Sequence, residues 1–541
     1  MRTLIFVSIV VLFSTFVSCS SVEDPVEFYH SPNIVTNNIH DASAPHSMDV
    51  MMRAYNHVKA NSTRGSNIEI ESIAPTHRYV KFSPTNRHQV DALNDHYTLY
   101  NFPLDEVPKV RANEGYDAIS EDGCVYAMVE YNKILPDSIS YVELGVYHNP
   151  YATEDLDNEL AEEVSNVAYA ISRFGDATKA NELTPWIPTG TIRVWDDLTN
   201  DYIPLAGVQV NILHSQISVP YVVETDDEGC FRGPILFSND VSYVIQWKGD
   251  DWAIKYDDIS TAMTVSYASR LPLDLVIPKS FLSSYYAATI YRAATFYWNM
   301  ARYCTPPTMS ETVRITCHDA YLSESNALGV FYPYDRGSDE PIIEVWCKYH
   351  TSQRIISTTL HELAHAVHYT AAGHTNYHNT SRIIRDSWAR YIQSIFVDQL
   401  YNYLSASTNV DYSLLLHDEV LSFCYGYECF TEYSPDEYNI QGWYYSVQNT
   451  QNRYSPIFID ITDGLNQREW FNSSLYPNDK IRVSGGIQLI ESLVFNNSSL
   501  AEIKSDLIQH ISELNLNIPT QDVNDLFEMY EQIENEEIYN Y

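Results

Sequence analysis

The chain has 541 residues, too many for one ordinary core, and its 45% hydrophobic content is enough to fold two to four domains. With 71 acidic against 32 basic residues its formal charge is −39, a surface that favours solubility and repels nucleic acid and anionic lipid. Eight cysteines occur without any C-x-x-C pair, which argues against a zinc site built from cysteine.

The opening "MRTLIFVSIVVLFSTFVSCSSVED" puts Arg2 before an apolar run from Leu4 to Phe16 and then small residues. That is the layout of a secretory signal, and the run is too short for a membrane span. It closes in "FVSCSS", which resembles the lipobox of bacterial lipoproteins. The resemblance implies removal of residues 1–18, acylation of Cys19, and an exported protein lipid-anchored to the bacterial outer membrane or cell surface. A plain signal peptide cut near Cys19 is the alternative. Either cut removes Arg2 and takes the charge to −40. Residues 19–76 show no sustained periodicity and read as a tether with an irregular lead-in.

Residues 77–187 read as a small α+β domain. "RYVKF" alternates as a strand, "TNRHQVDALND" fits a short helix, "YTLYNF" and "GCVYAMVEYNKIL" read as strands, and residues 159–174 fit an amphipathic helix. No catalytic constellation stands out there. Residues 188–277 turn to short alternating strands separated by acidic and glycine turns, the pattern of a β-sandwich. Within them "PLAGVQV" (Pro204 to Val210) and "TDDEGCF" (Thr225 to Phe231) resemble the carboxypeptidase regulatory-like sandwich. The acidic turn could bind calcium, but it reads first as a solvated hairpin.

A Pro-marked boundary at "LPLDLVIPKS" leads to residues 280–541. Here "FLSSYYAATIYRAATFYWNMARY" fits one long helix with a structural aromatic stripe, followed by the strands "ETVRITCHD", "GVFYPY" and "PIIEVWCKY" and a helix-rich remainder. Cys424 and Cys429 in "FCYGYECF" could close a small disulfide loop or remain buried thiols. The 43 tyrosines are scattered evenly and suggest compositional bias. The expected fold class is therefore α+β multidomain: a small N-terminal α+β region, a β-sandwich middle domain and a mainly helical C-terminal domain.

The chemistry concentrates in "RIISTTLHELAHAVHYTAA", a helical pattern starting near Ser352 or Ser357. At 3.6 residues per turn His361 and His365 share one face, so both imidazoles can reach one ion. Glu362 points to an adjoining side, where a carboxylate can act on water as a general base. This is the H-E-x-x-H arrangement of a zinc (Zn2+) hydrolase. His368 with Ala371 does not match the metzincin third-ligand pattern. The gluzincin pattern takes a carboxylate from a following helix, and in residues 381–400 Asp386 stands 25 residues after His361. Asp386 is the expected third ligand, with His368, His374 and His378 in reserve.

"HELAHAVHY" followed by "RDSWARYI" resembles a family of exported Bacteroidetes zincin-like proteins whose second helix usually reads E-S-W-A. Similar texture in "THRYVKFSP", "YAMVEYNKILPDSISYVEL" and "YSPIFIDITDGLNQ" extends the resemblance over most of the mature chain. It implies an exported zinc metallopeptidase acting on protein or peptide. Asp386 departs from it, being one methylene shorter than the family's glutamate. The strand "IIEVW" is expected to form the edge along which substrate lies, and a tyrosine or histidine from the C-terminal half, with His417 as one candidate, to steady the oxyanion. A surface binding protein or adhesin with a structural or degenerate zinc site is the alternative, and a hydrolase of cell-wall peptides shares the same site.

Overall fold

The computed structural model describes residues 44–63, 72–94, 96–104, 116–117, 122–153, 156–214, 220–238, 240–256, 261–268, 270–300, 313–320, 329–333, 342–408, 455–464, 466–470 and 477–538. Cys19, His417 and the Cys424 and Cys429 pair lie outside them. The fold is mixed α+β, with four sheets and twelve α-helices among the described residues. No helix among them is long and apolar enough to cross a membrane.

The N-terminal region pairs β1 (His77–Ser83) antiparallel with β3 (Val125–Glu130) on one side and β4 (Ser140–Tyr147) on the other, with α2 (Arg87–Asn94) following β1. Two helices, α1 (Met48–Asn61) and α3 (Asn158–Phe174), share a separate apolar cluster around Val50, Met51, Val164 and Val167. Helix α1 corrects the reading of this stretch as irregular. Its buried positions Val50, Met51, Ala54, Tyr55 and Val58 do follow helical spacing, but polar residues between them dilute the pattern. "YTLYNF" is no strand either: it contributes one isolated bridge, Tyr100 to Tyr126. Helix α3 is capped at both ends. Asp157 accepts from the Leu160 amide at 2.8 Å, and Gly175 closes the C-terminus at φ 70°.

Residues 188–277 form two facing sheets. One runs β2 (Tyr116–Asp117), β12 (Met263–Ala268), β10 (Val241–Gln246), β7 (Gln209–His214), β8 (Tyr221–Glu224). The other runs β13 (Leu273–Ile277), β5 (Thr189–Asp196), β6 (Asp201–Pro204), with β9 (Cys230–Arg232) also on β5. Val194, Val210, Ile245 and Leu275 meet between them. In the acidic turn, the Asp226 carboxylate accepts the amides of Glu228 and Cys230 at 3.1 and 2.8 Å, so it closes a hairpin. Two strands cross the expected boundaries. β2 extends the first of these sheets from the preceding region, and β11 (Trp252–Lys255) leaves this segment to pair in parallel with β14 (Val313–His318).

The C-terminal region opens with α4 (Leu282–Asn299) and a sheet in the order β11, β14, β16 (Ile342–Trp346), β15 (Gly329–Tyr332), parallel except for the antiparallel edge β15. Behind it lie α5 (Ser352–Ala372), α6 (His374–Asn379) and α7 (Arg382–Thr408), then α8 (Ile457–Thr462), α9 (Gln467–Trp470), α10 (Gly486–Asn496), α11 (Leu500–Glu513) and α12 (Thr520–Ile538). One apolar core runs from the facing sheets into these helices, with Ile277, Tyr285, Ile343, Leu363 and Trp388 among its members.

Two adjacent aspartates at the end of β5 connect these parts. Asp196, fully buried, accepts from Arg292 of α4 at 2.5 Å, from the Tyr401 hydroxyl of α7 at 2.8 Å, and from the amides of Leu198 and Thr199. Asp197 accepts the Ser352 amide and the Tyr285 hydroxyl, each at 2.8 Å, while its own amide donates to Ser352 Oγ.

Replacing Asp196 by Ala strands a buried guanidinium and should cost about 3–5 kcal/mol, whereas Asp197→Ala, which removes a helix cap, should cost about 1–2 kcal/mol. Urea unfolding of the full chain measures both, and equal losses would contradict this ranking. A pH effect is expected as well. Burial, reinforced by His148 and His77, holds fully buried His46 at about 3 instead of 6.5. The unfolded chain therefore binds the extra proton first, so this contribution to stability is complete above about 6.5 and drains as pH falls towards 3. The unfolding midpoint should drop between pH 7 and pH 5, and drop less in His46→Leu.

Candidate metal centre

Helix α5 is small and apolar through its middle, without Gly or Pro, so it continues for 21 residues. Thr351 at its N-cap makes no side-chain cap; Asp197 takes that role from the neighbouring sheet. His361, Glu362 and His365 fall in the buried middle, each less than a tenth exposed. The Nε2 atoms of His361 and His365 face each other at 3.2 Å. Tetrahedral ligands about 2.05 Å from a zinc ion lie about 3.3 Å apart, so this pair has the spacing of two ligands of one ion.

The third expected ligand comes from α7. Trp388 Nε1 donates to the Ala364 carbonyl at 3.1 Å, pinning α7 against the middle of α5. This brings Asp386 Oδ1 to 3.7 Å from His365 Nε2. The other oxygen, Oδ2, accepts from Arg382 Nε at 2.9 Å. Among the described residues no three His, Cys, Asp or Glu side chains are gathered tightly enough to hold an ion as they stand. The longer separation is on the Asp386 side, where a carboxylate one methylene shorter than glutamate is shared with Arg382.

The two imidazoles are prepared as neutral donors. Burial is the main cause holding His361 well below its ordinary range and His365 at about 4. Gln393 Oε1 lies 3.2 Å from His361 Nδ1. Its orientation is fixed, because that oxygen also accepts from Arg390 at 3.0 Å while the amide nitrogen donates to Ser357 Oγ. Nδ1 of His361 is then the protonated nitrogen, and Nε2 keeps its lone pair towards His365. His365 Nδ1 faces the buried Tyr377 hydroxyl at 3.4 Å. Neither Gln393 nor Tyr377 carried a sequence signal. Nothing in the sequence marks Gln393 on its helix, or Tyr377 among so many tyrosines.

Glu362 sits beside this pair and is raised to about 8, first by burial and then by the nearby Asp386 charge. The backbone of Phe331 in β15 donates to its carboxylate. The edge strand lies close above: a Cβ on Gly329 would come 2.5 Å from Thr358 Cγ2 and 2.8 Å from Glu362 Cγ. Only glycine allows that approach. The Phe331 ring lies nearly parallel to the His365 ring, centroids 6.3 Å apart.

This geometry corrects the expected substrate edge. β16, "IIEVW", is paired on both sides, by β14 and β15, and is therefore an interior strand. The edge is β15. The reserve histidines are elsewhere: His368 is fully buried between the rings of Phe495 and Tyr377, and His374 and His378 are exposed neighbours on α6.

No known family model matches the chain, and no curated protein is significantly similar to it.

Gln393→Leu should leave the fold intact but weaken zinc affinity about 10- to 100-fold, since His361 loses the acceptor that fixes its tautomer. Competition with a chromogenic chelator measures this.

Proposed function

We propose that this chain is an exported zinc-dependent metallopeptidase. The observation that carries the reading is the pair of buried, neutral imidazoles with facing Nε2 atoms 3.2 Å apart, with Glu362 alongside under an antiparallel edge strand. His361 and His365 would hold the ion with Asp386 as third ligand. Zinc supplies Lewis-acid polarisation of a carbonyl and acidification of water.

The remaining roles fall to the chain. A peptide adds as a strand to β15, which among the described residues pairs only with β16, and its backbone is thereby held extended over α5. Glu362 takes the proton of the attacking water on its carboxylate and passes it to the leaving nitrogen. Gln393 and Tyr377 orient the imidazoles. We assign residues 280–541 to a zincin-like catalytic domain and residues 188–277 to a carboxypeptidase regulatory-like sandwich, in line with the resemblances in "HELAHAVHY", "RDSWARYI" and "TDDEGCF". The signal-like N-terminus and Cys19 support export and lipid anchoring.

The purified chain should bind one equivalent of zinc and lose it in His361→Ala and Asp386→Ala. Glu362→Gln should keep the zinc while hydrolysis of denatured protein falls by about 10²- to 10⁴-fold. Elemental analysis beside a casein cleavage assay reads both; undiminished cleavage by Glu362→Gln would remove that residue from the chemistry, and a zinc-free wild type would end the peptidase reading.

A further inference from the structure

A second polar site lies where α2, β11 and β14 meet. There a cavity of about 210 Å³ is lined by Lys248, Lys255 and Arg314 together with Asp91, Asp250 and Thr261. A tetrahedral oxyanion and a few waters, each occupying about 30 Å³, fit such a volume. Among the described residues its lining carries three cations and two carboxylates, in a chain of net charge −39.

The charges are unequally matched. Asp91 is already bound twice, by Lys255 Nζ and by Arg314 Nη1, each at 3.2 Å, with both cations almost fully buried. Lys255 also donates to Thr261 Oγ1 at 3.3 Å. Lys248 has no hydrogen bond or ion pair from its ammonium among the described residues, although it is half-buried. Burial and the Lys255 charge both act against its protonated form, and only Asp250, exposed at the surface, favours it. The turn bearing Lys248 is firmly seated: Lys248 bridges to Ala253, and a Cβ on Gly249 would come 2.5 Å from Trp252 Nε1. A half-buried ammonium held beside a second cation is an arrangement that a bound anion stabilises.

We infer that this cavity binds a small oxyanion of phosphate size, received by Lys248 and backed by the Lys255 and Arg314 charges. The anion is received by cations from the turn before β11, from β11 and from β14, and because it binds only the folded chain its binding raises stability by mass action.

Calorimetric titration of the full chain with inorganic phosphate, against sodium chloride at equal ionic strength, tests this. Saturable one-to-one binding, with a phosphate-specific rise in the melting temperature, is expected. Lys248→Gln should weaken binding at least about tenfold, the effect of one charge-assisted hydrogen bond, while Lys248→Arg retains it. Zinc content is unchanged throughout. If chloride matches phosphate in the wild type, or if folded Lys248→Gln binds phosphate as tightly as the wild type, the site is not an anion receptor. Should Lys248→Gln not fold, the comparison of phosphate with chloride in the wild type decides alone.

Discussion

Everything about the candidate metal centre depends on how the N-terminus of α5 is satisfied. That helix starts at the buried residues Ser352 and Gln353, and its own N-cap residue makes no side-chain cap. The carboxylate of Asp197 accepts the first amide, and its negative charge also suits the positive end of the helix dipole. One residue earlier, Asp196 neutralises the Arg292 guanidinium of α4 and takes the Tyr401 hydroxyl of α7. Helices α4, α5 and α7 are thus each tied to one dipeptide at the end of a strand in another sheet.

The placement of α5 then sets the chemistry. A helix turned so that His361 and His365 face inward must bury Glu362 as well, and burial raises that carboxylate while it keeps the imidazoles neutral. These opposite shifts share one leading cause, exclusion of water, which leaves two neutral imidazoles beside a raised carboxylate. The price is a crowded ceiling. Strand β15 can approach only because residue 329 is glycine, which brings the Phe331 backbone within reach of Glu362.

The sequence made the helices legible wherever apolar spacing was strong, as in α3, α4, α5 and α7, and the local motif fixed the positions of His361, Glu362 and His365. Helix α1 was missed because its buried face is interleaved with His, Arg and Asn. The edge strand was misplaced because "IIEVW" has the stronger β pattern, and a strand buried on both sides reads more strongly than a four-residue edge. Side chains that act through a third residue left no trace. Gln393 and Tyr377 matter only because tertiary packing brings them to the far nitrogens of two histidines, and no local spacing encodes that.

Strand β11 has a further consequence. It belongs by chain order to the sandwich segment but by hydrogen bonding to the sheet beneath the HExxH helix, and its parallel partner β14 follows only after β12, β13 and α4. Residues 188–277 are therefore not a cassette that can be excised or exchanged at residue 277 without removing an outer strand from its neighbour. Any shuffling of this architecture, in the laboratory or over evolutionary time, has to carry residues 252–255 along with the C-terminal half. For a chain emerging N-terminus first, the same strand waits as an unfilled template until β14 arrives.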